Sequence, residues 1–173
     1  MRIDRSWAMP SRWTFTIKPI ASLLQEEGAS GLMKQGTWLD PFAGMNSPAD
    51  IRNDLDPTAH ADYHMDALEF LKTQPDESVD GILYDPPYSF RQASECYKSF
   101  GKEQFTATVT SKEYWANIKN EIVRIVKKGG KVIGFGWNSN GLGINRGFTL
   151  TRILLVPHGG SMNDTICTVE VKS

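Results

Sequence analysis

The 173-residue chain is 40% hydrophobic and 23% charged, with a net charge of −1. That is the composition of an ordinary soluble globular protein, long enough for one domain with layers packed around a single sheet. It excludes a membrane span, because no apolar run is long enough, and Met1–Arg5 lacks the apolar core of a signal peptide.

Cys96 and Cys167 are isolated and fit no metal spacing, so two buried thiols in a reducing cytoplasm, and no metal, are expected. The charge is segregated. Residues 39–80 hold ten acidic and two basic residues, a net of −8, whereas residues 81–173 sum to +5 and residues 1–38 to +2. Such a distribution lets one face meet a polyanion despite a near-neutral total.

Strand and helix signals alternate along the chain, which argues an α/β fold with a mostly parallel sheet. Gly36 opens a first strand, Thr37–Phe42, that ends in Asp40-Pro41-Phe42-Ala43-Gly44. A second, Ala49–Asn53, ends at Asp54-Leu55-Asp56-Pro57. A third is expected at Ala61–Met65, followed by a helix beginning near Ala67 for which Asp66 is the N-cap. Only nine residues separate Gly44 from Asp54, so the first crossover has no room for a long helix.

The fourth strand, Ser78–Tyr84, runs into Asp85-Pro86-Pro87-Tyr88. Each proline fixes its own φ and biases the residue before it toward extended backbone. Asp85 and Pro86 are therefore held extended, offering a carboxylate, an aimed carbonyl and an aromatic ring within four residues. That set can grip a planar amine.

Ser111–Lys128 predicts a helix with Tyr114, Ile118, Ile122, Ile125 and Val126 on one face, closed by Lys127-Lys128-Gly129-Gly130. Lys131–Trp137 is a fifth strand. Phe148–Val156 and Thr165–Val171 form an antiparallel hairpin across His158-Gly159-Gly160.

The Asp-Pro-Pro-Tyr turn, with Asp-Pro-Phe-Ala-Gly three expected strands earlier in the chain, resembles the amino-methyltransferases that use S-adenosylmethionine (SAM) and act on adenine N6 or cytosine N4. The leading Asp leans toward adenine. The resemblance runs from about Trp13 onward. It implies a Rossmann-like mixed seven-stranded sheet with helices on both faces, the last strand antiparallel, and the first crossover helix reduced.

It also implies a cofactor site. Asp40, Pro41, Phe42, Ala43 and Gly44 would form the floor under the methionine part. Phe15, Ile17, Lys18 and Pro19 would cover it. Asp54 and Leu55 would meet the ribose, since a carboxylate accepts two hydrogen bonds from a diol. Asp66 and Ala67 would meet the adenine. Where the family usually has a second glycine, this chain has Asn46.

Asp85, Pro86, Pro87 and Tyr88 carry the catalytic role, with Tyr88, Arg91, Lys98 and His158 toward the substrate. The expected reaction is methyl transfer from SAM to adenine N6 in DNA. RNA or cytosine N4 targets, and a non-catalytic nucleic-acid-binding subunit, are alternatives. Only Phe90–Thr110 and Ser139–Arg146 are left for target recognition, with no separate recognition domain, so a very short site, a homodimer or a single-stranded or distorted substrate is expected. The small size points to a mobile element or virus.

Overall fold

The computed structural model describes residues 1–173. In chain order the elements are β1 (Arg2–Arg5), α1 (Lys18–Glu26), β2 (Trp38–Asp40), β3 (Ile51–Arg52), α2 (Ala67–Thr73), β4 (Val79–Tyr84), α3 (Phe90–Ser99), α4 (Thr106–Val109), α5 (Lys112–Ile125), β5 (Val126–Gly136), β6 (Phe148–Val156) and β7 (Thr165–Lys172). The strands make one seven-stranded sheet in the order β1-β6-β7-β5-β4-β2-β3. β3, β2, β4 and β5 are parallel, β1 is parallel to β6, and β7 is antiparallel to both its neighbours.

The sheet is buried on both faces at its centre, so β4 reads as a continuous apolar run, Ile82-Leu83-Tyr84. Ile82 faces α2 and α5, packing with Phe70, Leu71, Ile118 and Ile122. Leu83 faces α1, packing with Ile20, Leu23 and Leu24. Each such side chain contributes about 1.5–3 kcal/mol on burial. Gly81 is required by close approach: it pairs with Trp38, and a Cβ there would lie 2.5 Å from the indole.

Seven strands were expected, and the membership differs in one place. Ala61–Met65 is not a strand; it contributes a single parallel bridge, Asn53 to Tyr63. The preceding residues spend their backbone on side-chain turns instead. Asp54 Oδ1 accepts from the Asp56 N–H (2.9 Å), Asp56 Oδ1 from the Thr58 N–H (2.8 Å), and Asp62 Oδ2 from the Arg52 N–H (2.9 Å). These local acceptors compete with a ladder. The seventh strand is β1, at the sheet edge beyond β6; at four residues it is too short, and it is too charged, to stand out in the sequence.

The helix expected to run to Lys128 ends at Ile125, because Val126 already pairs with Val79 in the sheet. Lys127 then donates to Asp80 (2.9 Å) rather than closing the helix. The β2-to-β3 crossover carries no helix, as its length required.

Candidate active site

Loops from the carboxyl ends of β2, β3 and β4 converge where ligands of open α/β sheets bind. They enclose a cleft of about 720 Å³. Its walls include Pro41, Phe42, Asp54, Leu55, Met65 and Ala67 at one end and Asp85–Tyr88, His158 and Thr165 at the other. Thr14 and Ile17 reach it from the segment before α1, and Gln92, Cys96 and Tyr97 from α3.

Asp85 leaves the end of β4 and stays partly exposed on the cleft wall. The Tyr88 hydroxyl donates to Asp85 Oδ1 at 2.8 Å, and the Tyr88 N–H donates to Gln92 Oε1 at 2.7 Å, so α3 holds the turn. Burial pushes the Asp85 carboxyl above the usual carboxylate range, against hydrogen bonds from Thr14 and Tyr88 that pull it down. The Pro86 carbonyl accepts no backbone hydrogen bond. The Tyr88 ring meets Trp137 edge-to-face, with centroids 5.5 Å apart.

The floor is built by two residues that face inward. Asp40 is fully buried and absent from the cleft wall; its oxygens accept from the Phe42 N–H (2.9 Å) and the Ser47 hydroxyl (2.6 Å). Burial, reinforced by the charges of Asp85 and Asp54, raises its pKa to about 7. Asn53 is also fully buried. Its amide donates to the Pro41 and Met65 carbonyls (3.2 and 3.1 Å) and accepts from the Met65 N–H (3.0 Å).

Gly44 adopts the left-handed conformation (φ 56°) with open space beside it, and its N–H donates to Asp54 Oδ2 at 2.7 Å. Its role here is conformational rather than a close approach. Ala43 is buried, and neither it nor Gly44 lines the cleft.

Several expected site residues lie elsewhere. Asp66 caps α2, with Oδ1 accepting from the Leu68 and Glu69 N–H groups (2.9 and 3.1 Å). Its Oδ2 accepts from the Tyr97 hydroxyl, and from the Tyr114 hydroxyl at 2.8 Å. With four donors engaged, the Asp66 carboxylate is saturated, while Ala67 and Tyr97 reach the cleft. Phe15 packs edge-to-face on Phe135, and Lys18 and Pro19 line a separate groove beside β1.

Arg91 is exposed and paired to Glu95 (2.8 Å), and Lys98 is exposed on α3; neither lines the cleft. His158 is 7% exposed, its Nδ1 bonded to the Ala8 carbonyl and its Nε2 to the Thr165 hydroxyl, both at 2.9 Å. A ring held on both nitrogens is a staple between the chain start and β7 rather than a free stacking surface.

The site also uses residues that motif reading does not reach. Thr14, Tyr97, Trp115 and Trp137 come from four separate segments, and only the fold brings them together. Asn53 carried one signal, a polar residue at a strand end directly before Asp54.

No protein-family model matches the chain, and no curated protein is similar to it in sequence. The fold has solved counterparts. TrmN from Thermus thermophilus is similar with a TM-score of 0.56 and 17% identity, over 91% of this chain and 49% of that one, so the chain spans about half of that protein's length. The 1,6-didemethyltoxoflavin-N1-methyltransferase of Burkholderia thailandensis, solved with 1,6-didemethyltoxoflavin and S-adenosylhomocysteine, gives a TM-score of 0.60 at 12% identity, over 90% of this chain and 77% of that one. The N-methyltransferase NodS from Bradyrhizobium japonicum WM9 gives 0.52 at 9% identity, over 87% and 91%. The chain has the Rossmann-like fold of the SAM-dependent methyltransferases.

Proposed function

We propose that this protein transfers a methyl group from SAM to an exocyclic amine, the N6 amino group of adenine in DNA. The observation that carries the reading is the Asp85-Pro86-Pro87-Tyr88 turn standing at the end of β4 in the wall of the main cleft. The fold supports it. So does the fit of the cofactor's parts to the cleft: an apolar shelf at Pro41 and Phe42, and a carboxylate, Asp54, on the wall for a ribose diol.

Bound there, SAM supplies a methyl carbon made electrophilic by its sulfonium. An adenine amine is a weak nucleophile because its lone pair is delocalised into the ring. Asp85 and the Pro86 carbonyl accept its two N–H hydrogens, drawing the nitrogen toward tetrahedral geometry and freeing the lone pair. The C–N bond forms as the S–CH3 bond breaks, with that electron pair left on sulfur and S-adenosylhomocysteine as leaving group; the surplus proton on nitrogen is one that Asp85 is placed to take up. The half-buried position of Asp85 strengthens its attraction for the positive charge developing on nitrogen, and fixed positioning supplies the rest. Only the ionised form of Asp85 can do this.

Two measurements test the reading. In wild-type protein with labelled SAM and adenine-containing DNA, nucleoside mass spectrometry should find N6-methyldeoxyadenosine. Asp85→Ala should lower transfer by about 100- to 1,000-fold, in line with loss of a principal electrostatic group, while calorimetry shows SAM binding within a few-fold of wild type. Transfer that survives Asp85→Ala, or a methylated product other than adenine N6, would refute it.

A further inference from the structure

A second, smaller cavity of about 220 Å³ adjoins the Asp85–Tyr88 turn and has no part in the chemistry above. It shares Pro86, Pro87, Tyr88, Trp115 and Trp137 with the main cleft, so the two lie side by side, but Asp85 borders the main cleft alone. The acceptor amine therefore belongs in the main cleft, and the second cavity is left for a group next to it.

The local sequence explains why this space is open. On β5, Gly134 pairs with Tyr84, and nothing lies within 4 Å of the place that a Gly136 Cβ would take. The crossover from β5 to β6 carries only one short turn, Ile144–Arg146, and no helix to lie over the sheet.

Two donors face the cavity without acceptors. The Tyr84 hydroxyl bonds no group of the protein, although the residue is only 8% exposed. No fully enclosed side-chain oxygen lacks a partner, so this hydroxyl opens onto the cavity that Tyr84 lines. Lys119, half-buried on α5, lines the same cavity and spends one N–H on the Gly141 carbonyl (2.6 Å). The nearby carboxylate, Glu170, is already taken by the Leu142 and Gly143 N–H groups (2.7 and 2.9 Å). Burial, with Arg146 close by, pulls the Lys119 pKa below its usual value, as befits an ammonium short of acceptors.

We propose that this cavity holds a guanine next to the target adenine in an unpaired strand, with Tyr84 and Lys119 donating to its O6 and N7. The proposal rests on the reading of the acceptor as adenine in DNA. Two donors without acceptors select a ligand edge that has two adjacent acceptors and no donor. Guanine presents that edge, whereas adenine sets an amino group beside N7 and thymine a methyl group beside O4. Cytosine in an unpaired strand also has two adjacent acceptors, but its single ring fills less of the space. Phe90, Trp115 and Trp137 add aromatic surface on which a base can stack.

The test is fluorescence anisotropy of labelled single strands of thymidylate that carry one adenine, with guanine, cytosine or thymine on its 5′ or its 3′ side. Wild type, Tyr84→Phe and Lys119→Met are compared, with melting curves as a check on folding. Tyr84→Phe removes only an oxygen that bonds nothing in the protein. Wild type should prefer guanine on one of the two sides by about 5- to 150-fold, the range for a good contact to a base edge. Each variant should shrink that ratio by about 2- to 10-fold, the range for one lost hydrogen bond. Because the ratio is taken within one protein, a general loss of affinity cancels. No preference for guanine, a preference for cytosine, or a ratio unchanged in both variants would overturn the assignment. So would an equal loss on every strand, which would place the target adenine itself in this cavity. The same strands with labelled SAM separate the two readings. Guanine-dependent binding without methylation would refute the transfer chemistry and leave the guanine site standing, and methylation with no regard to the neighbour would do the reverse.

Discussion

At the residue scale, Asp40 shows how a motif position can serve a site without facing it. Its carboxylate sits behind the wall, tying Phe42 and Ser47 together at the mouth of the helix-less crossover. Burial raises its pKa from 3.8 to about 7. In the unfolded chain the group ionises near pH 4, so the folded state holds the extra proton between about pH 4 and 7. This acid therefore favours folding fully at low pH, and its contribution is lost as pH rises through 7. The span corresponds to about 4 kcal/mol. Asp40→Asn keeps an acceptor for the Phe42 N–H and a donor toward Ser47 but cannot ionise. Urea titrations at pH 5 and pH 8 should show the variant's stability relative to wild type rising by about 3 kcal/mol from the lower pH to the higher. An equal gap at both values would mean that Asp40 is ionised in the fold throughout.

At the element scale, α2 is seven residues long and depends on its cap. One carboxylate, Asp66, satisfies two backbone donors of α2 and receives a phenol from α3 and another from α5, so it joins three helices. Losing an N-cap costs about 1 kcal/mol; the Tyr97 and Tyr114 hydroxyls still bond each other at 3.0 Å, so one phenol is left without an acceptor, which adds about 1–3 kcal/mol. Asp66→Ala should therefore lower the urea-unfolding free energy by about 2–4 kcal/mol. A variant as stable as wild type would show that the cluster is not structural. The capping role was legible in the sequence, because a polar residue directly before an apolar helical run has few other uses. The two phenols were not, since Tyr97 and Tyr114 lie 31 and 48 residues away and only the packing of α3 and α5 brings them in. The same contrast runs through the site. Asp85–Tyr88 could be read because its constraint is local, two prolines after an apolar strand. The Ala61–Met65 strand was misread because alternation in sequence does not reveal that Asp54, Asp56 and Asp62 have already claimed the nearby amides.

At the scale of the whole molecule, the sheet gains at one edge what it lacks at the other. The segment after β3 adds only a bridge, while β1 extends the sheet beyond β6 and carries the chain start to the cleft. That edge is held by Arg152 on β6, whose side chain is 9% exposed and pairs with Asp4 (2.8 Å), Glu26 (2.8 Å) and Glu27 (3.2 Å). The guanidinium thus joins β1, β6 and the end of α1. Removing it would leave three carboxylates facing one another, with Lys131 and Arg2 as partial replacements. A fully buried pair broken in this way costs about 3–5 kcal/mol; these acids are partly solvated, so Arg152→Met should cost about 2 kcal/mol, and less at high ionic strength. Hydrogen exchange locates the effect. Amides of Arg2–Ala8 should exchange faster in the variant, while those of β4, at the sheet centre, change only by the global loss. If β1 keeps its protection, the backbone pairing with β6 holds the edge unaided by the ion cluster.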